Sequence, residues 1–311
     1  MFDIELTLEK LKKVKARKIL LQAPEGLKQK VQEFAKSLEK AGIEVLIACD
    51  TCYGACDLRD REAKLLGCDA LLHIGHTAFS TIKPVMPVIY DEYRMNVDPV
   101  PLLEKSLESL KPYKTISLLT TLQYISAIQK AKKFLESRGK KIILGIPSKA
   151  KYPGQVLGCD YSAALPLEGM VGCFLFMGSG LFHPLGLTIR TEKPVLFLDL
   201  EKGELKDMKP EKFRLQKIKA ARIAKAQDAN NFGIILSTKP GQLRIKAAER
   251  VRKQLQARGK RVWVFVMDEI TPAKLLGLDL DCLVNCACPR LTDDSSLFKK
   301  PIIEPEDVKK L

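Results

Sequence analysis

Short apolar runs alternate with longer amphipathic stretches along this chain, and the alternation recurs three times. The first cycle is an apolar run at Lys18–Gln22, a turn at Ala23–Gly26, an amphipathic stretch at Leu27–Ala41, and a second apolar run at Ile43–Ala48. The second cycle places these at Thr115–Thr120, Thr121–Gln123, Tyr124–Arg138 and Lys141–Gly145. The third places them at Phe232–Leu236, Ser237–Gln242, Leu243–Arg258 and Arg261–Val266. Short apolar runs bounded by turn residues predict buried strands, and the longer periodic stretches predict helices. Gly42, Gly139 and Gly259 close the three stretches just before an apolar run, which is a helix stop followed by a strand. Each cycle then reaches a third run: Asp69–His73, Val171–Phe176 and Asp281–Asn285.

Strand, helix, strand, helix, strand implies right-handed crossovers and a parallel sheet. The expected fold is therefore α/β, with three similar small domains made by internal triplication, each a parallel sheet flanked by helices. Breaks near the Pro-rich Asp98–Pro101 and near Lys202–Lys209 give domains at 1–98, 99–203 and 204–311.

Composition narrows the class. At 311 residues and 46% apolar, the chain has material for two or three real cores. No apolar run reaches the length of a membrane span and no signal peptide opens the chain, so a cytoplasmic protein without membrane contact is expected. A net charge of +15 suggests a polyanionic partner, either nucleic acid or a protein acting on it. No pattern of a sequence-specific nucleic-acid reader is present, so no specific nucleic-acid partner is expected.

Nine cysteines in a reducing compartment do not read as disulfides. They cluster, which favours metal ligation over scattered core thiols. Cys68, Cys173 and Cys282 lie in apolar runs and are expected in the core. Cys56 and Cys159 follow second strands, and laying Asp69–His73 on Asp281–Asn285 sets Cys288 opposite His76, past a third strand. All are at the carboxyl ends of strands, the ligand edge of an open α/β sheet. About a pseudo-threefold axis these edges converge. Three thiolates can hold a 4Fe-4S cluster and leave one iron open for substrate. The residues alone leave two trios standing: the local Cys49, Cys52, Cys56, with Cys49 ending a strand and able to point inward, or Cys56, Cys159, Cys288. Zinc is the competing metal, although Cys286 and Cys288 are spaced too tightly for its usual ligand pairs.

Five motifs occur in order from Ile19 to Arg290: Tyr-Gly-Ala-Cys56-Asp, Leu-Gly-Cys159, Gly178-Ser-Gly-Leu-Phe-His183-Pro, Ser237-Thr-Lys-Pro-Gly-Gln242 and Ala-Cys288-Pro-Arg290. In these the chain resembles the diphthamide biosynthesis enzymes of archaea. The resemblance implies three similar domains, each giving one cysteine to a 4Fe-4S cluster, here Cys56, Cys159 and Cys288. It implies a non-canonical radical enzyme that cleaves S-adenosylmethionine at its aminocarboxypropyl carbon. The 3-amino-3-carboxypropyl group would go to carbon 2 of a histidine of translation elongation factor 2, with methylthioadenosine released. It also implies a homodimer and an electron donor that the sequence does not identify. Cys52 and Cys286 are extra to that pattern.

Candidate contacts for S-adenosylmethionine follow from loop chemistry. Ser237, Thr238, Gly241 and Gln242 form a turn expected to open a helix, whose N–H groups would hold a carboxylate; an ordinary helix cap is the plainer reading. Gly178 and Ser179 lie on a turn where backbone can approach a ligand closely. His76 and His183 flank ligand edges, either lining a pocket or simply hydrogen-bonded in loops. Arg290 would pair with the cofactor carboxylate or with a surface acid. Two rival functions are an iron–sulfur electron carrier with four protein ligands, and a zinc-bearing basic RNA-binding module.

Overall fold

Three sheets carry the chain, and each starts in the same strand order. The computed structural model describes residues 2–311. The first sheet contains β1 (Lys18–Gln22), β2 (Glu44–Ile47), β3 (Ala70–Ile74) and β4 (Val88–Asp91), in the order β2-β1-β3-β4 with parallel pairing throughout. The second contains β5 (Thr115–Thr120), β6 (Lys141–Ile143), β7 (Cys173–Gly178), β8 (Val195–Asp199) and β9 (Glu204–Asp207), in the order β6-β5-β7-β8-β9. The third contains β10 (Asn231–Ser237), β11 (Arg261–Met267), β12 (Cys282–Asn285) and β13 (Ile302–Ile303), in the order β11-β10-β12-β13, again parallel.

The triplication extends to single hydrogen bonds. Gly42, Gly139 and Gly259 have φ of +84°, +77° and +72°, the left-handed region that glycine enters without strain. The residue after each, Ile43, Lys140 or Lys260, donates its N–H to Leu38, Leu135 or Leu255. All three leucines are fully buried. The next residue, Glu44, Lys141 or Arg261, then donates to the residue before the first strand of its sheet. Asp69 and Asp281 each accept two backbone N–H groups at the start of β1 and β10, and those bonds lower both carboxyl pKa values.

Alternation along the strands divides each core into two faces. On β1, Ile19 and Leu21 pack with Leu11, Val31, Phe34 and Leu38, while Leu20 faces Leu58, Ala63 and Cys68. On β12, Cys282 and Val284 pack with Val251 and Leu255, while Leu283 faces Leu275 and Phe298. Cys68, Cys173 and Cys282 are buried, as their apolar surroundings predicted.

Some expectations need correction. The run at Ile43–Ala48 is a strand but not a buried one: β2 lies at the sheet edge and Ile47 is 40% exposed. Cys49 does not point inward; it is exposed beyond that edge strand. β11 is also an edge strand and exposes Trp263. In the second repeat the helix begins as 3-10 turns at Leu122–Ala127 and becomes α-helical at Ile128–Ser137. Among the described residues, the two longest helices outside the three cycles are Ile4–Lys13 and Lys209–Gln227.

The chain divides into two compact units. One holds everything up to Ser179 with Phe197–Lys206; the other holds Gly180–Leu196 with Asp207–Leu311. Cys56 and Cys159 belong to the first and Cys288 to the second.

Candidate metal centre

The loop carrying Cys56 follows β2 and is braced from below by β1. Gln22 ends β1 with a buried side chain whose amide N–H donates to the Asp57 carbonyl at 2.6 Å. Its amide oxygen accepts from the Arg59 N–H at 3.3 Å. These two bonds fix which end of the amide is which. The same oxygen lies 3.0 Å from His73 Nδ1, so that nitrogen must carry a proton. Burial keeps His73 neutral by lowering its pKa well below the ordinary value, and the neighbouring His76 ring opposes a charge on it further. Its Nε2 is therefore an acceptor, 3.0 Å from His76 Nδ1, which must be the donor. His76 is also held neutral, its pKa pushed down to about 4 by burial. What remains is the unprotonated Nε2 of His76.

Gly54 separates that nitrogen from Cys56. Its φ is +152°, and a Cβ there would sit 3.8 Å from Cys56 Sγ and 3.9 Å from His76 Nε2. Glycine thus leaves a cradle between a thiol and a ring nitrogen.

Cys159 sits on a tight turn closed by reciprocal backbone bonds between Leu157 and Asp160. The segment before it is anchored on β5, where Val156 N–H donates to Thr120 O and Thr120 N–H donates to Gly154 O. The Asp160 carboxylate accepts the N–H groups of Lys149 and Ser162 at 3.0 and 3.1 Å. The Ser148 and Lys149 carbonyls in turn accept from Ser80, on the loop that follows His76. Within this unit the two cysteine loops are therefore tied to one another. Gly145 supports the same turn, since a Cβ there would lie 2.1 Å from the Ala163 carbonyl oxygen.

Cys288 follows β12, and Asn285 plays the part of His73. Ile19 pairs with Ala70 and Phe232 with Cys282, so His73 and Asn285 occupy the same register position, as do His76 and Cys288. The fully buried Asn285 amide donates to Cys288 O at 2.8 Å and to Glu304 Oε1 at 3.2 Å, and its oxygen accepts from Ala287 N–H at 3.1 Å. Cys286 points the other way, into the apolar core, where burial raises its thiol pKa to about 11. In thiol form it is a poor spare ligand.

The expected cofactor contacts are placed as follows. Ser237 ends β10 and Gln242 is buried, but the helix starts at Ile245, so the turn does not open it directly. Three amides of the turn are committed within the protein: Thr238 to Met267 O, Lys239 to Ser237 Oγ, and Gln242 to Lys239 O. Gly241 is half-buried on the same turn. Gly178 ends β7 in the core, with Ser179 half-buried beside it. Arg290 is buried rather than superficial; it donates to Phe182 O at 2.7 Å, pairs with Asp293 and stacks over the Phe182 ring at 4.2 Å. His183 is kept neutral near pKa 4 by burial and the Arg290 charge.

Comparison with known proteins adds the family. The model of the diphthamide synthesis protein family matches residues 23–310. The 2-(3-amino-3-carboxypropyl)histidine synthase of Pyrococcus horikoshii is 41% identical over 97% of this chain and 87% of its own length. The protein of the same name from Methanocaldococcus jannaschii is 31% identical over 94% and 83%. The crystal structure of Dph2 from Pyrococcus horikoshii with a 4Fe-4S cluster matches with a TM-score of 0.93 at 40% identity, over 100% of this chain and 90% of that one. This chain belongs to the diphthamide synthesis family.

In this family member, three features of the site escaped sequence analysis. Gln22 and His73 were legible only as polar residues at the ends of apolar strands, a signal that marks buried hydrogen bonding. Asp160 and Asn285 flank motif cysteines but match no ligand pattern. Lys239 is 3% exposed and lies 3.3 Å from Asp268, a buried cation that its own motif contained unremarked.

Proposed function

We propose that this chain is a 2-(3-amino-3-carboxypropyl)histidine synthase, the S-adenosylmethionine-dependent transferase of the first step of diphthamide synthesis. Its protein substrate is a histidine of translation elongation factor 2. The observation that carries the reading is the exposure of the cysteines. Of nine, Cys56, Cys159 and Cys288 alone are half-buried; Cys49 is exposed and the other five are buried. Each of the three lies at a carboxyl edge on a loop held by a buried polar side chain, Gln22, Asp160 or Asn285. Such thiols can meet an inorganic cluster and leave one face of it accessible.

The donor set suits a 4Fe-4S cluster, which Cys56, Cys159 and Cys288 would share, one from each of the proposed domains 1–98, 99–203 and 204–311. When bound, the cluster supplies the electron that breaks the sulfonium bond of S-adenosylmethionine on its aminocarboxypropyl side. The chain's residues supply position and a dry, proton-poor setting. His76 and His183 are neutral at physiological pH, so neither is a proton source beside a reactive carbon. Lys239 contributes a buried positive charge to the Ser237–Gln242 turn, which with Gly178, Ser179 and Arg290 we assign to the cosubstrate. Among the described residues no helix is long and apolar enough to cross a membrane. The proposal includes a homodimer, an external electron donor and a cytoplasmic location.

The test is anaerobic incubation of the reduced, reconstituted protein with S-adenosylmethionine, with and without elongation factor 2. The expected products are methylthioadenosine with aminobutyrate-type fragments, and in the complete mixture a modified histidine. 5′-Deoxyadenosine would instead indicate a conventional radical enzyme and the local Cys49, Cys52, Cys56 trio. A brown protein that cleaves nothing would be an electron carrier, and a colourless one would return zinc to consideration.

A further inference from the structure

We propose that Cys52, His73 and His76 form a second, mononuclear site for a zinc-like divalent cation, separate from the three cysteines assigned to the cluster. One sulfur and two ring nitrogens from these residues lie within 4.8 Å of one another. Cys52 is 5% exposed and His73 is fully buried. One thiolate and two imidazoles is a borderline-soft donor set that suits zinc and cobalt over calcium or magnesium.

The surroundings are built as they are around metal-bound histidines. Such a histidine donates its other ring N–H to a carbonyl or carboxylate, which fixes its tautomer and orientation. His73 does so to Gln22 Oε1 at 3.0 Å, and Gln22 is itself held by the Asp57 carbonyl and the Arg59 N–H. His73 Nε2 therefore carries a lone pair, which accepts the hydrogen bond from His76. It lies 3.0 Å from His76 Nδ1, with one proton between the rings. Two nitrogens on a tetrahedral zinc with bonds of about 2.0–2.1 Å are about 3.3 Å apart, so a slight opening of the rings lets the ion replace that proton. Uptake then moves the His76 proton from Nδ1 to Nε2 and releases the Cys52 thiol proton. Two neutral imidazoles and one thiolate leave a net positive charge, and the fourth position goes to water. The spacing is legible in the chain as Cys52 ahead of His73-x2-His76, with the histidines at the carboxyl end of β3.

The test counts metal in the full-length protein. With the cluster rebuilt anaerobically so that the cluster thiols are occupied, the chain is equilibrated with zinc and then passed into metal-free buffer. The expected result is one zinc per chain beside the iron, and none in Cys52→Ser. Cobalt added to the Cys56→Ser/Cys159→Ser/Cys288→Ser variant should give a thiolate-to-cobalt charge-transfer band and the intense visible bands of a four-coordinate ion. Both should vanish when Cys52→Ser is added. Gln22→Leu should weaken zinc binding by about 10–100-fold, because the His73 ring loses its anchor. Near-ultraviolet circular dichroism confirms that each variant retains its packing. Zinc absent from the wild-type protein, zinc retained by Cys52→Ser, or cobalt bound without a thiolate band would each overturn the site. None of these readouts depends on turnover, so failure here is distinct from failure of the transferase reading.

Discussion

Asn285 and His73 stand at one register position and brace two different cysteine loops. Asn285 does it directly, through the Cys288 carbonyl, the Ala287 N–H and Glu304. Asn285→Ala would leave these buried groups short of partners, and destabilisation of about 2–3 kcal/mol is expected in urea unfolding. Iron content should fall with it, because the Cys288 loop loses its floor. Glu304 adds a pH dependence. Burial pushes its carboxyl up to about 7 from the ordinary 4.5, while the bonds from Asn285 and Thr292 pull it down. A folded-state value above the unfolded one means that the neutral form stabilises the fold. That contribution is complete below pH 4.5 and is lost as pH rises through about 7. Glu304→Gln stays neutral and keeps an acceptor oxygen. It should remove a decline of up to about 3 kcal/mol between pH 5 and 8. Parallel stability–pH curves for the two proteins would show that the decline has another source.

At the scale of elements, two glycines of the second repeat separate conformation from contact. Gly139 ends a helix at φ +77° with open space where a Cβ would point, so Gly139→Ala carries only the backbone penalty, about 1–2 kcal/mol. Gly145 abuts the Ala163 carbonyl, and Gly145→Ala must move the backbone of the Cys159 loop. A loss of about 3 kcal/mol or more is expected, together with reduced iron binding, by thermal unfolding and metal analysis. The glycine helix stops and the apolar strands were legible in the sequence because both are local signals. The helix at Ile4–Lys13 was not, because its lysine-rich second half masks the helical spacing of Ile4, Leu8 and Leu11, which pack on the first sheet. Whether a strand is central or at an edge is also hidden from local pattern, since β2 and β11 have the apolar content of buried strands. The motif cysteines were legible through their order along the chain. Their buttresses were not, because Gln22, Asp160 and Asn285 acquire meaning only when the chain brings a second segment to them.

Charge acts at the scale of the whole molecule. The excess of +15 is spread along helices such as Lys209–Gln227, where Ala226 is the buried residue. A distributed positive field steers a large acidic partner and is screened by salt. Under the proposed function, modification of the elongation factor should therefore slow as ionic strength rises, while cleavage of S-adenosylmethionine without the protein substrate should not. Equal salt dependence of the two would remove steering as the use of the charge.

The chain has a single tryptophan, Trp263, on the edge strand β11 and 45% exposed. It belongs to the unit that carries the third sheet. Indole emission is thus a built-in gauge of that unit alone, whereas far-ultraviolet circular dichroism sums over all three sheets. Followed together in urea, coincident transitions mean that the two units melt as one cooperative body. An emission midpoint below that of circular dichroism means that the half bearing Cys288 opens while the half bearing Cys56 and Cys159 stays folded, and one above it means the reverse.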